Sequence, residues 1–241
     1  MQRKVKNKMT IKEKEKLLLE QWKTERYYLS FTWDGIFDEQ TYLEQPLKIL
    51  YILKEADWPG LNTDLLLIDW LLSENSPTYW KTWNNIARWT QALLVGGEYQ
   101  KHVSKQDKTH WLKKIAFIEL KKVPGSATSS NEEIRMYVEN DSTYLKEQIL
   151  IYNPDIIICC GRGTGKNADL LYRYVFDEAE LSEWKRPALV NKYNYYFAEI
   201  NSKSVPVISY VHPQMSFGSH DIFKRYFLDM LKIKDELFGV R

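Results

Sequence analysis

The amino-acid sequence predicts an α/β protein of three layers (α/β/α), in which helices cover both faces of a central, mainly parallel four-stranded sheet. Two observations carry this. Four short apolar runs of strand length recur along the chain, and each is continuous rather than alternating, as in strands buried on both faces. Stretches of helical period separate the runs, so strand and helix alternate as they do when crossovers join parallel strands.

Residues 1–30 form a charged stretch with Leu17, Leu18, Leu19 and Trp22 inside it, read as an N-terminal amphipathic helical extension with a disordered basic leading turn. Residues 31–241 then form a single domain. Its first strand is Leu47 to Leu53, behind Pro46. A helix follows over Leu61 to Leu72, with Asn62 and Thr63 as candidate caps, and another after Pro77 with large apolar residues every three or four positions. Ile115 to Val123 is the second strand, stopped by Pro124 and Gly125. Ser130 and Asn131 start a long helical pattern that Pro154 ends. The third strand is the Asp155–Gly161 run, a helix follows from Asn167, and the fourth strand runs from Val205 to Pro213.

Hydrophobic residues make up 44% and charged residues 27% of the 241, and no apolar run approaches the roughly 18 residues of a membrane span. With no apolar stretch behind the basic N-terminus to suggest export, a soluble, cytoplasmic monomer is expected, with no membrane partner. Cys159 and Cys160 are adjacent and the only cysteines, too close for an ordinary disulfide and too few for a thiolate cage, so neither metal nor cofactor is expected. A net charge of +2 neither requires nor excludes a polyanionic partner. Nine Trp and sixteen Tyr are potential stacking platforms for bases, with core packing as the plainer alternative.

In parallel sheets ligands bind beyond the carboxyl ends of the strands, which directs attention to four loops beginning at Lys54, near Lys121, at Gly161 and at His212. Lys54-Glu55-Ala56-Asp57-Trp58-Pro59-Gly60 resembles the G-E-A-P-G turn after the first strand of one branch of the uracil-DNA glycosylase superfamily. Lys54 stands in place of glycine, and Asp57 with Trp58 forms an insertion. His212-Pro213-Gln214 is similar to that superfamily's H-P-S motif, with Gln214 replacing serine. Ile118 to Gly125 resembles its T-N-x-x-K-x-x-P segment, with Glu119 and Lys122 at the Asn and Lys positions. The resemblance spans roughly residues 47 to 232. It implies a uracil-DNA glycosylase-like fold and an enzyme that hydrolyses the bond between a flipped-out base and its sugar, in repair or in defence against foreign DNA. The branch with G-E-A-P-G binds an iron-sulfur cluster through four cysteines, so that property is not carried over to a chain with two.

The resemblance also implies roles. Breaking an N-glycosidic bond leaves positive charge on the sugar and negative charge on the base, so an anion on one side and a donor on the other are needed. Glu55 is the expected catalytic carboxylate and His212 the donor to the leaving base. Lys54, Ala56, Trp58 and Glu119 are expected to contact the substrate, with Trp58 as a stacking wall and Trp83 and Tyr79 as weaker candidates. An ionised Glu119 only accepts hydrogen bonds, which points to a modified or amino-bearing pyrimidine rather than uracil. Gln214, Met215, Ser216 and Phe217 are expected in the DNA groove, with Met215 and Phe217 as a wedge. Phosphate contacts are expected from Lys121, Lys122, Arg162, Lys166, Lys224 and Arg225. The plainer alternatives are a solvated loop acid for Glu55, a turn residue for His212 and a solvated basic face for the cations.

Two rival readings remain. Gly161-Arg162-Gly163-Thr164-Gly165-Lys166 follows a strand and opens a helix, as a nucleotide-binding P-loop does, but is one residue short of that pattern and has Asn167 in place of the magnesium-binding hydroxyl. The altered motifs also fit a DNA- or partner-binding relative without excision activity.

Overall fold

The structure is a computed structural model that describes residues 9–58, 63–77, 79–126, 128–190, 193–216 and 221–239. Its elements, in chain order, are α1 (Ile11–Glu25), β1 (Thr32–Trp33), β2 (Gly35–Ile36), α2 (Glu39–Leu43), β3 (Ile49–Leu53), β4 (Leu65–Leu66), α3 (Leu67–Leu72), α4 (Lys81–Leu94), α5 (Lys105–Leu112) and β5 (Ile115–Glu119). Then come α6 (Asn131–Asn140), α7 (Ser142–Tyr152), β6 (Ile156–Cys160), α8 (Asn167–Leu170) continued by a π turn, β7 (Asn194–Ile200), β8 (Lys203–Tyr210) and α9 (Ile222–Phe238).

The four expected strands lie side by side and parallel in the order β5-β3-β6-β8. The sheet has six strands rather than four, because antiparallel β2 and β7 close its two edges. β7 and β8 are joined through Asn201 and Ser202, both at positive φ (49° and 63°), the geometry of a two-residue hairpin turn whose twist matches the strands.

Successive side chains of a strand point to opposite faces, so each fully buried strand feeds two cores. Ile49, Tyr51, Phe117, Ile158 and Tyr210 face α4 and α9, while Leu50, Ile52, Ile118, Ile157 and Val207 face α1, α7 and α8. Leu18, Leu19 and Trp22 of α1 are buried in the second core, so this helix belongs to the sheet's covering layer and is no loose extension. Its Glu15 accepts from the Ile36 amide at 2.9 Å, and a Cβ on Gly35 would sit 2.1 Å from the same carboxylate, so β2 needs glycine there.

Two helical stretches differ from expectation. The segment before Leu72 gives β4 as well as α3, with Asn62 outside the described residues. The long pattern after Ser130 breaks at Asp141 into α6 and α7. The Asp141 carboxylate is buried and accepts from Arg26 Nε at 2.6 Å and Tyr28 Oη at 2.8 Å. Among the described residues no helix is long and apolar enough to cross a membrane.

The strand order places a topological switch between β3 and β6. The chain leaves β3 across one face toward β5 and leaves β6 across the other toward β8, so their carboxyl ends open a crevice of the kind that binds ligands.

Candidate functional site

A cavity of about 490 Å³ lies at the carboxyl ends of β3 and β5, within the size range of small-ligand sites. Lys54, Glu55, Ala56, Trp58, Glu119, His212 and Gln214 all line it, so residues far apart along the chain meet around one space. Trp58, Trp70 and Trp80 form an aromatic wall, with ring centroids 6.1 Å and 4.6 Å apart in succession. Trp83 also lines the cavity, but it is 4% exposed and packs edge-on to Phe37 and Phe117, chiefly a core residue. Tyr79 is exposed and outside the lining.

Two loops are clipped together beside this wall. Asp57 and Gly125 pair as a parallel bridge, Gly125 N donates to Ala56 O at 2.9 Å, and Trp58 N donates to Gly125 O at 3.2 Å. The Glu55 carboxylate fills the space under Gly125, where any Cβ would fall 2.0 Å from Glu55 Oε2. That oxygen accepts from Lys121 Nζ at 2.7 Å, and the Glu55 side chain is 3% exposed. Lys121 also meets Glu133 at 2.7 Å and lies 5.3 Å from the centroid of the Tyr137 ring. Burial acts to lower its pKa, but the Glu133 and Glu55 carboxylates outweigh burial and hold the ammonium above its usual value. Lys121 is thus spent on two carboxylates rather than offered to a phosphate.

Lys122 is a correction. Expected at the DNA backbone, it is fully buried under the sheet, ion-paired with Asp34 and donating to Gln148 Oε1 at 3.0 Å. Asp34 also accepts from the Glu119 amide at 2.6 Å and from Gln148 Nε2 at 2.8 Å. A cation with no access to solvent has no access to DNA.

Glu119 is 3% exposed, and its Oε2 is buried with no hydrogen-bond partner among the described residues. Burial, followed by the nearby Asp34 carboxylate, pushes its pKa from the usual 4.5 up to about 8 despite Lys122. At neutral pH the group therefore keeps its proton and is a donor as well as an acceptor, so the accept-only chemistry expected from sequence applies only at alkaline pH. Because the folded state holds a proton that the unfolded chain has released, stability falls as pH rises from about 4.5 through 8. Glu119→Gln is expected to abolish that slope and to exceed the wild type in stability above pH 8 by a few kcal/mol, since each tenfold difference in proton affinity between the folded and unfolded states is worth on the order of 1.4 kcal/mol. Urea unfolding at pH 6 and pH 9 measures it, and equal slopes in the two proteins would show that Glu119 is ionised throughout.

His212 follows the end of β8, and its Nδ1 accepts from the Gln214 amide at 3.2 Å. The ring proton is accordingly assigned to Nε2. Burial, then the neighbouring Lys54 cation, lowers the His212 pKa to about 4, so the imidazole is neutral at physiological pH and still a donor.

Lys54 Nζ and Lys166 Nζ both donate to Asn131 Oδ1, at 3.3 Å and 2.6 Å. Arg162 faces a second cavity, also about 490 Å³, with Arg186, Tyr193, Asn194 and Ser209. Gln214, Met215 and Ser216 are exposed at the cavity edge or just beyond it, while Phe217 lies outside the described residues. Lys224 and Arg225 are exposed on the first turn of α9 and line neither cavity. The glycine-rich loop does not offer a phosphate cradle of the P-loop kind. Gly165 N donates to the Asp169 carboxylate at 2.7 Å, and Asn167 Nδ2 ties β3 to β6 through Ile52 O (3.0 Å) and Cys160 O (2.9 Å). Sequence reasoning missed Trp70, Trp80, Asp34 and Asn131, of which only the tryptophans carried a signal, their place in apolar helical runs.

No protein-family model matches the chain, and neither a curated protein nor a solved structure does.

Proposed function

We propose that the chain is a DNA glycosylase of the uracil-DNA glycosylase kind, hydrolysing the N-glycosidic bond of a pyrimidine nucleotide flipped out of DNA. The observation that carries this reading is the convergence of Glu55, Glu119, His212 and the tryptophan wall on one nucleotide-sized cavity at the strand ends. An aromatic wall replaces the stacking a base loses on leaving the helix. Protonated Glu119 offers an O–H and a C=O side by side, the complement of a base edge with a donor next to an acceptor. The N4 amine and N3 of cytosine form such an edge, and so do N3–H and O4 of uracil, so amino-bearing pyrimidines are candidates without being the only ones.

In the reaction the bond between the sugar C1′ and the base nitrogen breaks and its electron pair leaves with the base. His212 Nε2–H donates to the oxygen on which that charge collects. Water supplies the new C1′–O bond, and Glu55 steadies the cationic sugar and takes the water proton, which the released base finally carries away. Lys121 fixes the carboxylate through Oε2, and Oε1 has no hydrogen bond among the described residues.

Duplexes carrying uracil, cytosine or modified cytosines, incubated with the protein and assayed by mass spectrometry, are expected to release at least one free base. Glu55→Gln should lower that release by about 10²-fold or more. Release from none of them, or an unaffected Glu55→Gln, would refute the assignment. The burial of Glu55 against Lys121 favours one second reading, a relative that binds a flipped nucleotide without cutting it. Tight binding with no release would select that reading.

A further inference from the structure

We infer that Lys54 and Lys166 form a phosphate clamp at the mouth of the cavity, so that its ligand enters as a phosphate-bearing nucleotide rather than as a free base or nucleoside. The inference deepens the glycosylase reading and rests on it for the nucleotide, though not for the anion.

The clamp is built by the topology. Lys54 follows β3 and Lys166 closes the loop after β6, the two strands flanking the switch point, where the backbone diverges and leaves room for a ligand. Asn131, the first residue of α6, receives both ammonium groups on a single amide oxygen. Two cations held at one neutral acceptor repel each other, and among the described residues neither has a carboxylate within ion-pair distance. Glu55, whose charge acts on Lys54 from a distance, is ion-paired with Lys121, as is Glu133. What remains is a pair of positive charges with one uncharged partner: Lys54 lines the cavity with Ser129 and His212, and Lys166 is held next to it on the shared Asn131 oxygen. A tetrahedral phosphate satisfies such a pair, since even a phosphodiester monoanion has two non-bridging oxygens and lets each ammonium take its own acceptor. Burial, together with the proximity of Lys166, lowers the Lys54 pKa, and a bound anion would oppose that lowering.

The test uses the full chain and two probes, inorganic phosphate and a duplex bearing a central tetrahydrofuran abasic site. The duplex is made with natural linkages or with a neutral methylphosphonate on the 5′ or 3′ side of that site. Wild type is expected to bind the natural duplex about tenfold more tightly than one of the methylphosphonate duplexes, and the double variant Lys54→Gln/Lys166→Gln to bind them alike. A double variant that keeps the full preference overturns the clamp while leaving DNA binding intact. If no duplex binds, the nucleotide reading fails, and calorimetric titration with phosphate alone decides. Saturable binding lost in the double variant supports the clamp, and absence of binding to wild type overturns it. Phosphate should also raise the thermal midpoint of wild type and not of the variant. Without phosphate the variant should melt no lower than wild type, because it has lost a repulsion, which separates a clamp from a structural role.

Discussion

Replacing His212 by alanine is expected to slow base release by about 10²- to 10³-fold, the usual cost of removing one donor aimed at a developing oxyanion, while binding of an abasic duplex changes little. The donor is a neutral imidazole. Burial and Lys54 place the His212 pKa at about 4, so the Nε2 proton is present across the physiological range, and a neutral donor gains strength only as charge collects on the base. The sign of the pH dependence follows. Between about 4 and 6.5 the unfolded chain binds a proton that the folded state excludes, so stability rises with pH across that window and is lost as pH falls. His212→Ala should flatten that part of the profile. Activity, in contrast, should not fall as pH drops through 6.5, where an exposed histidine titrates. Retention of full activity by His212→Ala would remove the residue from the mechanism. A loss of activity that follows a protonation near 6.5 would show an imidazole exposed to water.

The parts of the fold that were legible in the sequence are those where one physical requirement dominates. β3, β5, β6 and β8 are buried on both faces, and only continuous apolar runs satisfy that. β7 was not legible. It lies at an edge, and its partly exposed positions are filled by Tyr195 and Phe197 rather than by polar residues, which hides the alternation. Its turn, Asn201-Ser202, lacks the glycine that usually announces a hairpin. The break between α6 and α7 was hidden because Asp141 reads as one more solvated acid on a helix, when in fact it is buried against Arg26 and Tyr28.

The site shows the same division. The strand-end rule pointed to the loops that carry Glu55, Glu119 and His212, and the resemblance to glycosylase motifs singled out these residues within them. The state of Glu119 was not accessible, because its proton depends on burial and on Asp34, 85 residues away in sequence. Lys122 was misplaced for the same reason. Beside Lys121 it reads as a solvated basic pair, and only the fold reveals its counter-ion 88 residues earlier.

That counter-ion is where the largest loss of stability is expected. Asp34→Ala should destabilise the protein by about 3–5 kcal/mol, the cost of stranding one partner of a buried ion pair. Without Asp34 the Lys122 ammonium keeps the Gln148 carbonyl at 3.0 Å, the face of Trp22, 4.9 Å from its centroid, and the more distant pull of Glu119 and Glu15, and the Glu119 amide loses its acceptor. Burial already depresses the Lys122 pKa, and Asp34 is the first of the groups opposing that depression. In the variant the lysine therefore tends to shed its proton, and the deficit should shrink at high pH. Adding Lys122→Met removes the stranded charge and should recover most of the loss, because a buried pair replaced by apolar groups of similar volume is often near neutral. Loss of the Asp34 charge also reaches the cavity. Asp34 is one of the two carboxylates that raise the Glu119 pKa, so Asp34→Asn, which keeps the shape and drops the charge, should bring the alkaline change at Glu119 to lower pH. Chemical unfolding of the three variants, with ligand binding followed against pH for Asp34→Asn, checks both effects. A loss of under about 1 kcal/mol in Asp34→Ala, the range of exposed pairs, would mean that Lys122 is not buried with its charge, and the coupling of this network to Glu119 would fall with it.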